Sequence, residues 1–70
     1  MTRHPVVSSS LAAIGYNATA RLLEVQFRNG RVYEYLQVDA QAHHALVTAE
    51  SIGTYFNQHV REHHEFRRIE

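Results

Sequence analysis

The dipeptide Asn29-Gly30, set between two stretches of alternating apolar residues, constrains this chain more than any other feature. Asn-Gly is among the strongest local hairpin signals, because both residues tolerate the left-handed backbone that tight turns demand. On its N-terminal side, Leu22 to Phe27 places Leu23, Val25 and Phe27 on one face and Glu24 and Gln26 on the other, the period of a half-buried strand. On its C-terminal side, Arg31 to Leu36 makes the returning strand. Tyr33 and Tyr35 are two apart there and so share a face.

Two registers fit this hairpin, and they aim the tyrosines in opposite directions. A two-residue Asn29-Gly30 loop pairs Phe27 with Val32 and turns Tyr33 and Tyr35 outward beside Arg28 and Arg31, as a base-stacking platform. It also buries Glu34 without a partner, at a cost of several kcal/mol. A three-residue loop, Arg28-Asn29-Gly30, pairs Val25 with Tyr33 and Leu23 with Tyr35 and turns both rings inward. Glu34 then moves out to water opposite Glu24, a like-charge pair costing under about 1 kcal/mol on an exposed face. The second register is favoured, with the tyrosines in the core and their hydroxyls at its rim.

A chain of 70 residues is half a typical domain. It has no cysteine, so disulfides and thiolate zinc sites are excluded as staples. No apolar run has signal-peptide or membrane-span length, and the chain reads as soluble and cytoplasmic, without membrane contact. Seven basic and seven acidic residues give zero net charge, which argues against strong non-specific nucleic-acid binding. Two features work the other way. All seven basic residues are arginine, the better partner for phosphates and bases, and six histidines add positive charge as pH falls.

Residues 1–9 contain Pro5 and lack periodicity, so they read as a loose lead-in to a single domain over 10–70. Leu11 to Tyr16 makes a first strand, where Gly15 could mark a bulge, and Asn17 to Ala20 a turn. After Asp39 the apolar period changes from 2 to 3.6. Asp39 caps a helix reaching about Ala49, and Ser51 caps a second from Ile52 to about His63, with Ile52, Tyr55, Phe56 and Val60 as its apolar stripe. Phe66 to Ile69 reads as a short extended tail. The fold expected is α+β: a three-stranded antiparallel meander followed by two short helices on one face. Its core is expected to be Ile14, Leu23, Val25, Phe27, Tyr33, Tyr35, Leu46, Phe56 and Val60.

Candidate chemistry is thin. His59 and His63 have the i, i+4 spacing of metal-binding histidines, but without an H-E-x-x-H arrangement or an assured third ligand they are weak candidates. Glu24 and Glu34 sit across strands on an open face with no pocket, so acid–base work has no setting. Ser8-Ser9-Ser10 lacks a G-x-S-x-G elbow, and the glycines do not form a phosphate cradle. Gly53, in the first turn of a helix, weakens it and so implies close packing or phosphate approach. Arginines fall in two groups, Arg21, Arg28 and Arg31 on the hairpin and Arg61, Arg67 and Arg68 near the C-terminus. A tail folded beside the hairpin would unite them.

Three segments together resemble the KTSC domain, named for the C-terminus of certain lysyl-tRNA synthetases and found also as stand-alone bacterial proteins. They are VSSSLAAIGYN at 7–17, LEVQFRNGRVYEY at 23–35 and AESIGTYFNQHVR at 49–61. The resemblance rests on Tyr33-Glu34-Tyr35 and on the run Gly53 to Asn57, including Tyr55 and Phe56. It departs at Asp39, where the family often has proline, and at His64, where an aromatic is common. The family carries no catalytic residues or cofactor to transfer; RNA binding has been suggested for it by association. The resemblance therefore implies a non-enzymatic bacterial module. RNA contact through Arg28, Arg31, Arg61, Arg67 and Arg68 is the leading expectation, and a protein partner or self-association is the alternative.

Overall fold

The computed structural model describes residues 2–70. Along the chain run β1 (Arg3–Pro5), β2 (Leu11–Asn17), β3 (Leu22–Phe27), β4 (Val32–Tyr35), α1 (Ala40–Val47), α2 (Ile52–His59) and β5 (Phe66–Arg68). The hairpin takes the three-residue loop. Gly30 adopts φ +92°, its N–H donates to the Phe27 carbonyl at 2.9 Å, and the Phe27 N–H donates to the Arg31 carbonyl at 2.9 Å. Leu23 faces Tyr35, Glu24 faces Glu34 and Val25 faces Tyr33, the register that avoids stranding a buried carboxylate.

The sheet has five antiparallel strands in chain order, not three. Residues 3–5, in the stretch without periodicity, form β1 against β2, with Arg3 opposite Gly15 and Pro5 opposite Ala13. An edge position is where a proline can join a sheet, since its missing N–H costs no ladder bond. At the other edge the tail is β5, pairing Tyr33 with Arg68, Glu34 with Arg67 and Tyr35 with Phe66. The chain continues past it: the Ile69 N–H donates to the Val32 carbonyl at 2.9 Å, and the Val32 N–H donates to Glu70 at 3.1 Å. Both edge strands are three residues long, too short to announce themselves by alternation.

A bulge in β2 falls between Leu11 and Ala13, not at Gly15, which lies in regular pairing opposite Glu24. Inserting one residue flips the parity of the strand. Leu11 thereby joins Ile14 on the helix-covered face, where it is fully buried.

Both helix caps form where the sequence places them. Asp39 accepts from the Ala42 N–H at 2.8 Å, and Ser51 accepts from the Thr54 N–H at 3.4 Å. Each helix ends short of its expected limit, α1 at Val47 and α2 at His59. Leu46, Phe56 and Val60 meet Leu11, Ile14, Leu23, Val25, Tyr35 and Val38 in one core. Phe27 and Tyr33, expected inside, are only partly buried against it, and Leu11 and Val38 take core positions that the periodicity did not assign.

The opposite sheet face departs most from expectation. Glu24 and Glu34 are largely withdrawn from water, at 8% and 9% exposed. Pairing across all five strands sets Arg3, Gly15, Glu24, Glu34 and Arg67 in one row. Arg3 reaches past Gly15, which has no side chain to obstruct it, and its Nη1 lies 2.6 Å from Glu24 Oε1. From the other edge, Arg67 grips Glu34 Oε1 through Nε at 2.7 Å and Nη2 at 2.5 Å. Each carboxylate of the like-charge pair thus has its own guanidinium, the arrangement that makes their burial tolerable.

Candidate functional site

On the helix side, where the hairpin end meets α2 and β5, the surface opens into a cleft of about 360 Å³. Its walls are aromatic: Phe27 from β3, Tyr33 and Tyr35 from β4, and Phe66 from β5. Strand pairing explains the grouping, because Tyr35 and Phe66 are cross-strand partners and Tyr33 is two residues from Tyr35 on the same face. Phe66 lies with its centroid 5.6 Å from Tyr33 and 5.5 Å from Tyr35. Phe27 meets Tyr33 edge-on at 5.6 Å, and the core residue Phe56 packs edge-on to Tyr35 at 5.2 Å. Phe66 nevertheless stays 53% exposed, an unusual position for a phenylalanine in a packed aromatic cluster.

The rim is polar. Arg31 and Asn29 come from the hairpin, Ser10 from the lead into β2, and Asn57 and Arg61 from α2 and the turn after it. Arg61 Nη1 lies 3.4 Å from Asn57 Oδ1, and the Asn29 Oδ1 accepts from the Arg31 N–H at 3.0 Å. No acidic residue lines the cleft, although the chain carries seven. Burial pushes the Tyr35 phenol above its ordinary pKa of 10.0, opposed by a smaller pull from the Arg61 charge and reinforced slightly by Tyr33. The phenol is therefore a neutral hydrogen-bond donor across the physiological range. The lining holds no carboxylate, imidazole or thiol.

The five arginines expected to act together are dispersed. Arg31 and Arg61 meet in the cleft. Arg28 sits next door, in a more open recess of about 540 Å³ between the serine loop and the start of α2, where its Nε donates to the Ser8 carbonyl at 2.7 Å. Arg67 lies on the opposite sheet face, engaged with Glu34. Arg68 turns its Nε onto the Glu70 carbonyl at 3.0 Å. Tail and hairpin do come together, as supposed, but β5 sends successive side chains to opposite faces and so separates Arg67 from the rest.

The run Gly53 to Asn57 divides its labour. Phe56 is core and Asn57 lines the cleft. Tyr55 packs at a tilt against His59, with centroids 4.4 Å apart and planes 32° from parallel. Gly53 lies against the serine loop so closely that a Cβ there would be 2.7 Å from Ser10 Oγ and 3.1 Å from Ser8 Oγ. Close packing thus accounts for this glycine. His59 and His63 do not share a helical face, because α2 stops at His59 and His63 turns its Nε2 to the Gln58 carbonyl at 3.1 Å. Among the described residues no three His, Asp or Glu side chains cluster as metal ligands would, and no helix is long and apolar enough to cross a membrane.

Phe66, Phe27, Asn29 and Ser10 were not singled out by sequence as site residues. The available signal is Phe66 itself, the one aromatic ring besides His64 in a tail dominated by charge, HEFRRIE.

Fold and cleft together define a small α+β module that holds an arginine-framed aromatic pocket at one end of a five-stranded meander. The KTSC domain model matches residues 7–66, and the chain belongs to the KTSC family. It is 38% identical over 71 residues to an uncharacterized protein of Stutzerimonas stutzeri (strain A1501), with both chains covered in full. A protein of Tsukamurella paurometabola is 36% identical over 53 residues, which span 76% of this chain and 79% of that one. The crystal structure of a KTSC domain protein from Yersinia pestis superposes with a TM-score of 0.95 at 38% identity, covering 99% of this chain and 97% of its own.

Proposed function

We propose that this chain is a non-catalytic accessory module that contacts RNA through the cleft between the hairpin end, α2 and β5. The observation that carries this reading is the composition of the cleft. Four aromatic rings and two arginines converge there, and none of the chain's seven acidic residues does. Arginine supplies a planar fork for phosphate, aromatic faces supply stacking for any base, and neutral amides at the rim tolerate either partner. Zero net charge remains compatible with this, because four of the acidic groups are drawn off elsewhere: Glu24, Glu34 and Glu70 into contacts with arginine, and Asp39 into a helix cap. The contact made this way is weak and local, not a broad electrostatic adhesion.

A titration against tRNA and an unrelated RNA across a salt series tests the proposal. Binding is expected at low salt and to fall with added salt, and the Arg31→Gln and Arg61→Gln variants are each expected to flatten the log–log slope by about 0.7–0.9. Absence of binding at low salt sinks the RNA reading. Sedimentation in the same buffer decides the alternative, since self-association without RNA binding favours a protein-interaction domain.

A further inference from the structure

Resting on that RNA reading, we infer that the cleft receives one unpaired nucleotide, its base laid on the Phe66 ring and its phosphate held by Arg31 and Arg61. The domain then selects single-stranded over duplex RNA. Size is the first ground. About 360 Å³ is at the lower end of small-molecule sites, room for a nucleotide but not for a helical segment.

Ring geometry is the second. Phe66 is tilted 40° from Tyr33 and 36° from Tyr35 at centroid distances of 5.6 and 5.5 Å, so these rings already touch and no base slides between them. The surface left for stacking is the solvent-exposed part of Phe66, 53% of the residue, which is shared between this cleft and a neighbouring recess bordered by Glu62 and Glu65. A base pair inside an RNA duplex has both faces covered by its neighbours and cannot use such a platform, only the two end pairs have an open face, and an unstacked base is free to use it.

The rim is the third ground. Asn29, Asn57 and Ser10 each both donate and accept hydrogen bonds, which suits the Watson–Crick edge of a base that has no pairing partner. Arg31 enters from the hairpin and Arg61 from beyond α2, and both line the cleft that Phe66 also lines, which puts phosphate donors and a stacking ring in one site. A free mononucleotide presents the same base and phosphate as a nucleotide within a strand, and the two sources are separable by experiment.

The parent protein and a Phe66→Leu variant are titrated by fluorescence anisotropy at one low salt concentration. The probes are a labelled single strand of about eight nucleotides, a blunt duplex of the same sequence, and an unlabelled 5′-mononucleotide as competitor. Leucine keeps apolar contact with Tyr33 and Tyr35 but offers no ring face. The expected result is single-strand affinity about tenfold or more above duplex affinity, with a loss of about tenfold in Phe66→Leu on the single strand alone. The mononucleotide is expected to compete only at concentrations well above the strand, as one contact site of several.

Asn57→Ala, on the exposed side of α2, provides a second variant with the same expected selectivity and a smaller loss. Equal affinity for strand and duplex, with Phe66→Leu neutral, overturns the inference while leaving RNA contact standing. A mononucleotide binding as tightly as the strand overturns it in favour of a small-molecule site. Failure of both RNAs to bind overturns this inference and the proposed function together.

Discussion

Tyr16 and His43 stack face to face, centroids 4.4 Å apart and planes within 7° of parallel, while the Tyr16 hydroxyl donates to the Val38 carbonyl at 2.6 Å. Partial burial lowers the His43 pKa from its ordinary 6.5, and the neighbouring His44 pushes it slightly further the same way. The folded state therefore resists protonation more than the unfolded chain does. This contribution to stability is fully present above the ordinary pKa and is lost as pH falls through the lowered folded value. Urea midpoints are expected to drop between about pH 7 and pH 5, and less steeply in His43→Phe, which keeps a flat ring on Tyr16 but has nothing to titrate. An identical pH slope in that variant would assign the effect to other histidines. No periodicity identifies such a residue. In the sequence His43 stands as one of two adjacent histidines on a predicted helix, a metal ligand only if the fold brings it near His59 and His63, and its stacking partner is a strand residue 27 positions earlier, 43 less 16.

Among the elements, those specified by local chemistry were legible: the hairpin from Asn29-Gly30, both helix starts from Asp39 and Ser51, and β3 from its strict alternation. The edge strands were not, because three residues held by pairing to distant strands carry no pattern of their own. Register could be deduced because only one choice avoids an unpaired buried carboxylate, yet the exposure assumed for Glu34 was wrong, since its partner Arg67 is 33 residues away. Gly53 shows the same interplay at the start of α2. Substituting alanine there gains about 1 kcal/mol of helix propensity. It also drives a methyl group onto Ser10 Oγ and onto Ser8 Oγ, and the latter accepts from the Leu11 and Ser10 N–H groups at 3.2 and 3.3 Å. Gly53→Ala is expected to lower stability by about 1 kcal/mol net, and the added Ser10→Ala change to recover most of it by removing the nearest obstacle. A gain of stability in the single variant would mean that the serine loop yields freely.

At the scale of the whole molecule, β5 works on both faces of the sheet at once. On one side Arg67 holds Glu34, and on the other the adjacent Phe66 forms a wall of the cleft. The ion pair on the back of the sheet therefore helps hold β5, and with it the ring on its front; under the RNA contact proposed above, Arg67 would act through Phe66 and not as a phosphate contact. Arg67→Ala leaves Glu34 buried without its guanidinium and opposite Glu24. Because the Arg67 side chain itself is 65% exposed, the expected loss is about 1–3 kcal/mol, below that of a fully buried pair. Adding Glu34→Gln removes the stranded charge and is expected to restore much of that stability, which a double-mutant cycle in urea would read directly. In RNA titrations Arg67→Ala is expected to weaken binding without changing the salt slope, since no phosphate contact has been removed. Arg61→Gln should do the reverse, leaving the urea midpoint nearly unchanged while flattening the slope by about 0.7 for a single strand. If both variants flatten the slope equally, Arg67 meets phosphate directly, and RNA then engages both faces of the sheet.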